Sequence, residues 1–209
     1  MTIAIKPTSV ILCGGKALRF GRSKAIASVG GFTVIQRIIR VLEPLSSQII
    51  AVTSAEKTDI PVADKARVVT DVYPERGPLG GIYTGLLHAQ SDFALVVGCD
   101  MPFLNAEMIS LMLDLVDGFD VVAPRLGNGY IEPLHAVYAK TCLIKMRSQL
   151  ESGQLSIWSA LRELHARYME TEEYLPLDPS MLSFFNINTL KDLERANQIA
   201  AQLDAAHSE

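Results

Sequence analysis

The sequence predicts an α/β fold of three layers: a mainly parallel, doubly wound sheet with helices on both faces. Two observations carry this. Short apolar runs of strand length recur at residues 9–13, 48–52, 67–70 and 93–97. Between them lie segments whose apolar residues repeat with the helical period, and that alternation produces crossovers between parallel strands. A third observation concerns position: each of these runs ends in glycine or polar residues, where ligands of open α/β sheets bind.

Taken in order, residues 9–13 read as a buried strand. In residues 33–45, Val34, Ile35, Ile38, Ile39 and Leu42 share one helical face, and Thr33 with Gln36 has capping-box spacing. Residues 48–52 and 67–70 are the second and third strands. Residues 80–89 read as helical despite their opening glycines, and 93–97 as a buried strand. Residues 105–116 form a helix with Asn105 as cap and Met108, Leu111, Met112 and Leu115 inward. Strands are expected at 120–123 and 133–138, with 126–132 as a loop or hairpin beside them. Helices follow at 140–151 and 155–165. A last one starts near Thr189 and turns Leu190, Leu193, Ala196, Ala200 and Leu203 inward. No repeat, low-complexity tract or linker divides the chain, so one domain over 1–209 is expected.

The 209 residues are 49% hydrophobic and 20% charged, with a net charge of −4, which excludes a general nucleic-acid binder carrying a basic face. Cys13, Cys99 and Cys142 have neither metal-ligand spacing nor an even count for a disulfide framework, and read as small buried hydrophobes. The first residues lack an apolar core with a cleavage site, and no apolar run approaches the ~20 residues of a membrane span. A soluble cytoplasmic protein, monomeric by default, is the expectation.

Positive charge collects at one place. Lys16, Arg19, Arg22 and Lys24 follow the paired Gly14-Gly15, and no acid appears before Glu43. Glycines let a backbone approach a ligand closely, and unpaired N–H groups with cationic side chains suit phosphates. The segment has neither the Gly-Lys-Ser/Thr end of a P-loop nor the dinucleotide fingerprint. Arg19 and Lys24 are the candidates for neutralising a triphosphate, while Lys16 and Arg22 read as solvent-facing. Asp100, directly after a buried strand, is a lone carboxylate suited to Mg²⁺, because Asn105 already caps the next helix. Asp71 also ends a strand. Its alternatives are a contact to ribose, base or metal-bound water, or an Asx turn. The run from Gly77 to Gly81, Gly80 included, either lays backbone against a flat base or only turns the chain into a helix. For His88, His135, His165 and His207 a surface or satisfied structural role is expected, and for Trp158 a place in the core.

The stretch from Leu12 to Lys24 resembles the signature loop of nucleotidyltransferases of the nucleotide-sugar type. It is most similar to that of the molybdenum cofactor guanylyltransferases. Gly77-Pro78-Leu79-Gly80-Gly81-Ile82, Cys99-Asp100-Met101-Pro102-Phe103-Leu104, Glu132-Pro133-Leu134 and Phe185-Asn186-Ile187-Asn188-Thr189 resemble further segments of that family. The chain departs from it at Cys13, Ala17, Phe20 and Ser23, where the family often has Ala, Ser, Met and Asp. The resemblance implies a Rossmann-like nucleotidyltransferase fold, with GTP held by the first half and the acceptor by the second. It implies transfer of GMP from GTP to the terminal phosphate of molybdopterin carrying molybdenum, with Mg²⁺ as cofactor and pyrophosphate leaving. Arg19, Lys24 and Asp100 would be catalytic, with Asp100 the metal ligand. Leu12, Cys13, Gly14, Gly15, Lys24, Asp71, Gly80 and Asp100 would bind GTP, and Asn186 and Asn188 would serve the acceptor side or complete the metal site. Proteins that deliver or receive the cofactor are implied partners. The alternatives are a cytidylyltransferase or sugar-phosphate cousin, or a nucleotide- or pterin-binding delivery module without catalysis.

Overall fold

The computed structural model describes residues 6–14, 24–54, 60 and 62–206. In chain order its strands are β1 (Thr8–Leu12), β2 (Ser28–Val29), β3 (Phe32–Thr33), β4 (Gln48–Thr53), β5 (Arg67–Thr70), β6 (Phe93–Gly98), β7 (Val121–Pro124), β8 (His135–Ala139) and β9 (Ala166–Met169). Seven of them form one sheet in the order β5-β4-β1-β6-β8-β7-β9, and β2 and β3 pair as a small ribbon. Strands β1, β4, β5 and β6 run parallel, β8 runs antiparallel to both β6 and β7, and β9 pairs parallel with β7. The expected mainly parallel α/β sheet is present.

Each strand alternates its side chains between two cores, as period two requires. On one face Ile11, Ala51, Leu95, Val97 and Val137 meet α1 (Val34–Leu42), α3 (Ala106–Asp114) and α7 (Leu190–Ala206). On the other, Val10, Leu12, Ile50, Val96 and Tyr138 meet α2 (Gly77–His88), α4 (Cys142–Glu151) and α5 (Ile157–Glu163). The caps read from the sequence are made. Thr33 Oγ1 accepts from the Gln36 N–H at 3.3 Å while Gln36 Oε1 accepts from the Thr33 N–H at 2.9 Å. Asn105 Oδ1 accepts from the Met108 N–H at 2.8 Å.

The differences have local causes. Helix α2 begins at Gly77 rather than residue 80, because Gly77 supplies a left-handed φ of 66° and Pro78 suits a first turn. Gly85 lets α2 press on β1: a Cβ there would fall 2.4 Å from Val10 Cγ1. Leu190 is 65% exposed instead of inward, since the first turn of α7 overhangs the core that Ala196 and Ala200 enter. Strand β9 and the short α6 (Thr171–Tyr174) were unexpected, as was the β2–β3 ribbon. Helices α4 and α5 start two residues later than expected, at Cys142 and Ile157, and α5 ends at Glu163. Among the described residues no helix is long and apolar enough to cross a membrane.

Candidate active site

The chain passes from β1 to β4 and β5 on one side, then returns to place β6 on the other side of β1. The switch point, where a crevice opens at the carboxyl edge, therefore lies between β1 and β6. Cys13 and Gly14 leave β1 there, and Cys99 and Asp100 leave β6. Backbone bonds tie the edge together: Cys13 N–H to Val52 O at 2.8 Å, and Cys99 N–H to Leu12 O at 3.2 Å. Leu12 and Cys13 are buried, whereas Gly14 is exposed, with open space where a Cβ would stand. Gly15 and Arg19 lie outside the described residues. The Lys24 backbone opens the short 3₁₀ turn Lys24–Ile26, and its side chain lies outside the description.

Asp100 is where separate parts of the chain meet. Its carbonyl accepts from the Ile187 N–H at 2.9 Å, which docks the Phe185–Thr189 segment on the β6 end. That segment is held further by Asp178, a buried carboxylate accepting from the N–H groups of Leu182 at 3.0 Å and Ser183 at 2.9 Å. The Ser183 hydroxyl in turn accepts from the Asn105 N–H at 3.1 Å, and Phe185 stacks edge-on to Phe103. Half-buried Asn186 and exposed Asn188 thus flank the residue bonded to Asp100. Asn186 Nδ2 donates to Phe184 O at 3.3 Å, and the Asn188 N–H to Asp192 Oδ2 at 2.9 Å. The Asp100 carboxylate itself folds over Gly98, where a Cβ would stand 2.7 Å from its Oδ1.

Asp71 stands apart from this cluster. It leaves β5, three strands from β6, or about 14 Å at the usual strand spacing. That separation suits the two ends of a nucleotide and not a shared ion. Its Oδ1 accepts from the Tyr73 N–H at 2.9 Å and the Thr84 hydroxyl at 2.7 Å, which is the Asx turn weighed above. Gly80 is buried against this turn: a Cβ there would come 2.8 Å from Tyr73 O and 3.2 Å from Asp71 Oδ2. Its lack of a side chain is thus required by protein packing.

Two residues outside the expected set stand close to the site. Glu132 opens the approach to β8 and is 9% exposed. Burial pushes its carboxyl up from the ordinary range, the Leu134 N–H opposes this, and the charge of Asp100 adds to the rise. His135 is fully buried, and neither ring nitrogen has a hydrogen-bond partner. The Ser183 backbone lies near it, outside hydrogen-bonding geometry, and Phe184 packs on its ring. The expectation of a surface or satisfied histidine fails at this position, because β8 became an inner strand. Its pKa falls to about 4, through burial, against the raising effect of Asp178. His165 is exposed and stacked on Phe119, and His207 lies outside the described residues. Half-buried Trp158 packs on the core edge, with Tyr130 edge-on to it. The three cysteines are buried, as expected.

Residues 9–168 match the model of the MobA-like NTP transferase domain. The chain belongs to that family. Its fold is that of the MobA-like nucleotidyltransferases. A probable molybdenum cofactor guanylyltransferase of Pelotomaculum thermopropionicum is 33% identical over 196 residues, 94% of each chain. A molybdenum cofactor guanylyltransferase of Desulfosudis oleivorans is 33% identical over 191 residues, 90% of this chain and 93% of that one. Among solved structures, molybdopterin-guanine dinucleotide biosynthesis protein A of Archaeoglobus fulgidus superposes with a TM-score of 0.78 at 27% identity, covering 93% of this chain and 99% of that one.

Proposed function

We propose that this MobA-like nucleotidyltransferase transfers GMP from GTP to the terminal phosphate of molybdopterin carrying molybdenum. The product is a guanine dinucleotide cofactor, and pyrophosphate leaves. The observation that carries the reading is the docking of the Asn186–Asn188 segment on Asp100 at the switch point, in a chain whose relatives bear that activity in their names. On this reading the segment assigned to the acceptor lies beside the edge assigned to the phosphates.

The residues suit the chemistry. A phosphate monoester is already a nucleophile, so no serine, cysteine or strong base is needed. One of its oxygens attacks the α-phosphorus of GTP in line, and the bond to the bridging oxygen of the pyrophosphate breaks. Positioning and charge neutralisation supply the catalysis. Arg19 and Lys24 neutralise the departing pyrophosphate. The backbone from Leu12 to Gly15 and the Asp71–Gly80 edge hold guanosine, and Asn186 and Asn188 orient the acceptor. A hard divalent cation fits the donor set at Asp100, which is all oxygen. No group of three metal-ligating side chains exists among the described residues, and Mg²⁺ commonly takes one or two carboxylates with substrate phosphates and water. Bound there, Mg²⁺ would neutralise charge developing on the phosphates.

The test is pyrophosphate release from GTP, CTP, ATP and UTP with Mg²⁺ and molybdopterin. Release with GTP, lost in Asp100→Ala without loss of fold, is expected. Release with CTP alone would assign a cytidylyltransferase, and release with none would leave a binding module. Proteins delivering molybdopterin or receiving the product are partners on this reading.

A further inference from the structure

Burying a carboxylate is costly unless a cation or several donors compensate it. Glu132 is nine-tenths buried, yet its Oε1 accepts one N–H, that of Leu134 at 3.1 Å, and no ion pair is made to it among the described residues. Its nearest charge effect comes from another acid, Asp100.

The backbone puts the two acids at the same end of the β6–β8 pair. Strands β6 and β8 pair from Phe93↔Ala139 to Val97↔His135, and the Gly98 N–H to Leu134 O bond at 3.0 Å carries the register one step further. Asp100 lies two residues beyond that bond on one chain, and Glu132 two residues beyond it on the other. On the other side of β8 the pairing slips. Val122 faces Val137 but Arg125 faces Ile131, so three steps along one chain oppose six along the other. The surplus is a bulge over Glu132–Leu134, where Pro133 cannot donate to the ladder. Bulges re-aim side chains at the rims of sites. The Glu132 N–H is fixed on Pro124 O at 3.0 Å, which anchors the residue to the end of β7.

We infer that Glu132 is the second carboxylate of a divalent-cation site completed with Asp100. The pair supplies oxygen donors from the end of β6, at the switch point, and from the approach to β8 beside it, and the cation supplies the charge that the buried carboxylate lacks. The inference rests on the proposed role of Asp100. A purely structural Glu132 would instead serve as an acceptor for the Leu134 N–H, a task that a glutamine carbonyl performs equally well.

The experiment uses the full-length, metal-free protein and Mn²⁺ as probe, followed by electron paramagnetic resonance titration and by melting with and without the ion. Wild type binds one Mn²⁺ and melts higher with it. Glu132→Gln should bind at least about tenfold more weakly, because affinity follows the charge of the ligand set. It should melt no lower than wild type without metal, and lose most of the metal-induced rise. Asp100→Asn should behave in the same way. Binding by Glu132→Gln within about twofold of wild type, with Asp100→Asn impaired, would overturn this inference alone. A Glu132→Gln protein that melts well below wild type without metal would also overturn it, assigning the carboxylate to folding. Unimpaired binding by Asp100→Asn would overturn the role of Asp100 as well.

Discussion

Gly85→Ala isolates the contact that seats α2 on the sheet. A Cβ at this position meets Val10 Cγ1 at 2.4 Å, Cγ2 at 2.8 Å and Cβ at 3.1 Å. Carbon atoms prefer about 3.5–4.0 Å, so helix and strand must part by about 1 Å. Val10 cannot yield: it is fully buried and paired with Ile50 on one side and Val96 on the other. Its branched side chain also has few rotamers. Alanine gains up to about 1 kcal/mol of helix propensity over glycine. Overpacking of this severity costs about 3 kcal/mol, the upper end of its usual range. The net expectation is a loss of about 2 kcal/mol, or a fall in Tm of about 4–8 °C for a chain of this size. Urea unfolding of four proteins decides the cause. Val10→Ala alone should cost about 2 kcal/mol through lost burial and a cavity. Because it removes both close Cγ atoms, the double variant should be more stable than the sum of the single effects by at least about 1 kcal/mol. Additivity within about 0.5 kcal/mol, or a Gly85→Ala protein as stable as wild type, would refute the contact as the reason for the glycine.

Two further outcomes follow from the site. His135 is held neutral in the fold, with a pKa of about 4 against 6.5 when exposed, so the unfolded chain binds more protons between those values. Stability should fall as pH drops from 6.5 to 4, by up to about 3 kcal/mol. Glu132, with its raised carboxyl, contributes with the opposite slope. The check is therefore the difference between wild type and His135→Leu in urea melts: equal slopes in that window would remove the assignment. Gly98→Ala places a methyl 2.7 Å from Asp100 Oδ1, the movable end of a side chain. Stability should change little while turnover falls on the order of 10²-fold, as a displaced carboxylate misplaces what it holds. Turnover at the wild-type rate would show that the Asp100 geometry over Gly98 is unimportant.

The parallel half of the sheet was readable because its information is local. Val10, Ile50 and Val96 lie in short runs apolar on both faces, and Thr33 and Asn105 announce helix starts by their own hydrogen-bonding geometry. The far half was harder for a physical reason. Strand β9 contains Arg167 and Tyr168, half-buried at the sheet edge, so neither alternation nor a continuous apolar run marks it. The α7 boundary failed at Leu190 because periodicity places a residue on a helical face without saying where the core beneath it ends.

The site divides along the same line. Asp100 was visible as a lone acid after an apolar run, and its place at the switch point follows from strand order. Glu132 was visible as part of Glu-Pro-Leu, but no role followed from that segment by itself. Its meaning depends on β8 pairing antiparallel with β6, more than thirty residues earlier, and on a three-residue bulge against the end of β7. Gly80 and Gly85 carry the converse lesson. The stretch Gly77–Gly81 offered backbone laid against a base or a turn into a helix; at Gly80 the close neighbour is Tyr73 O, and at Gly85, outside that stretch, it is Val10. The close approach that glycine permits is the same in either case. Only the neighbour it admits distinguishes a ligand contact from a packing contact, and that neighbour is supplied by the fold.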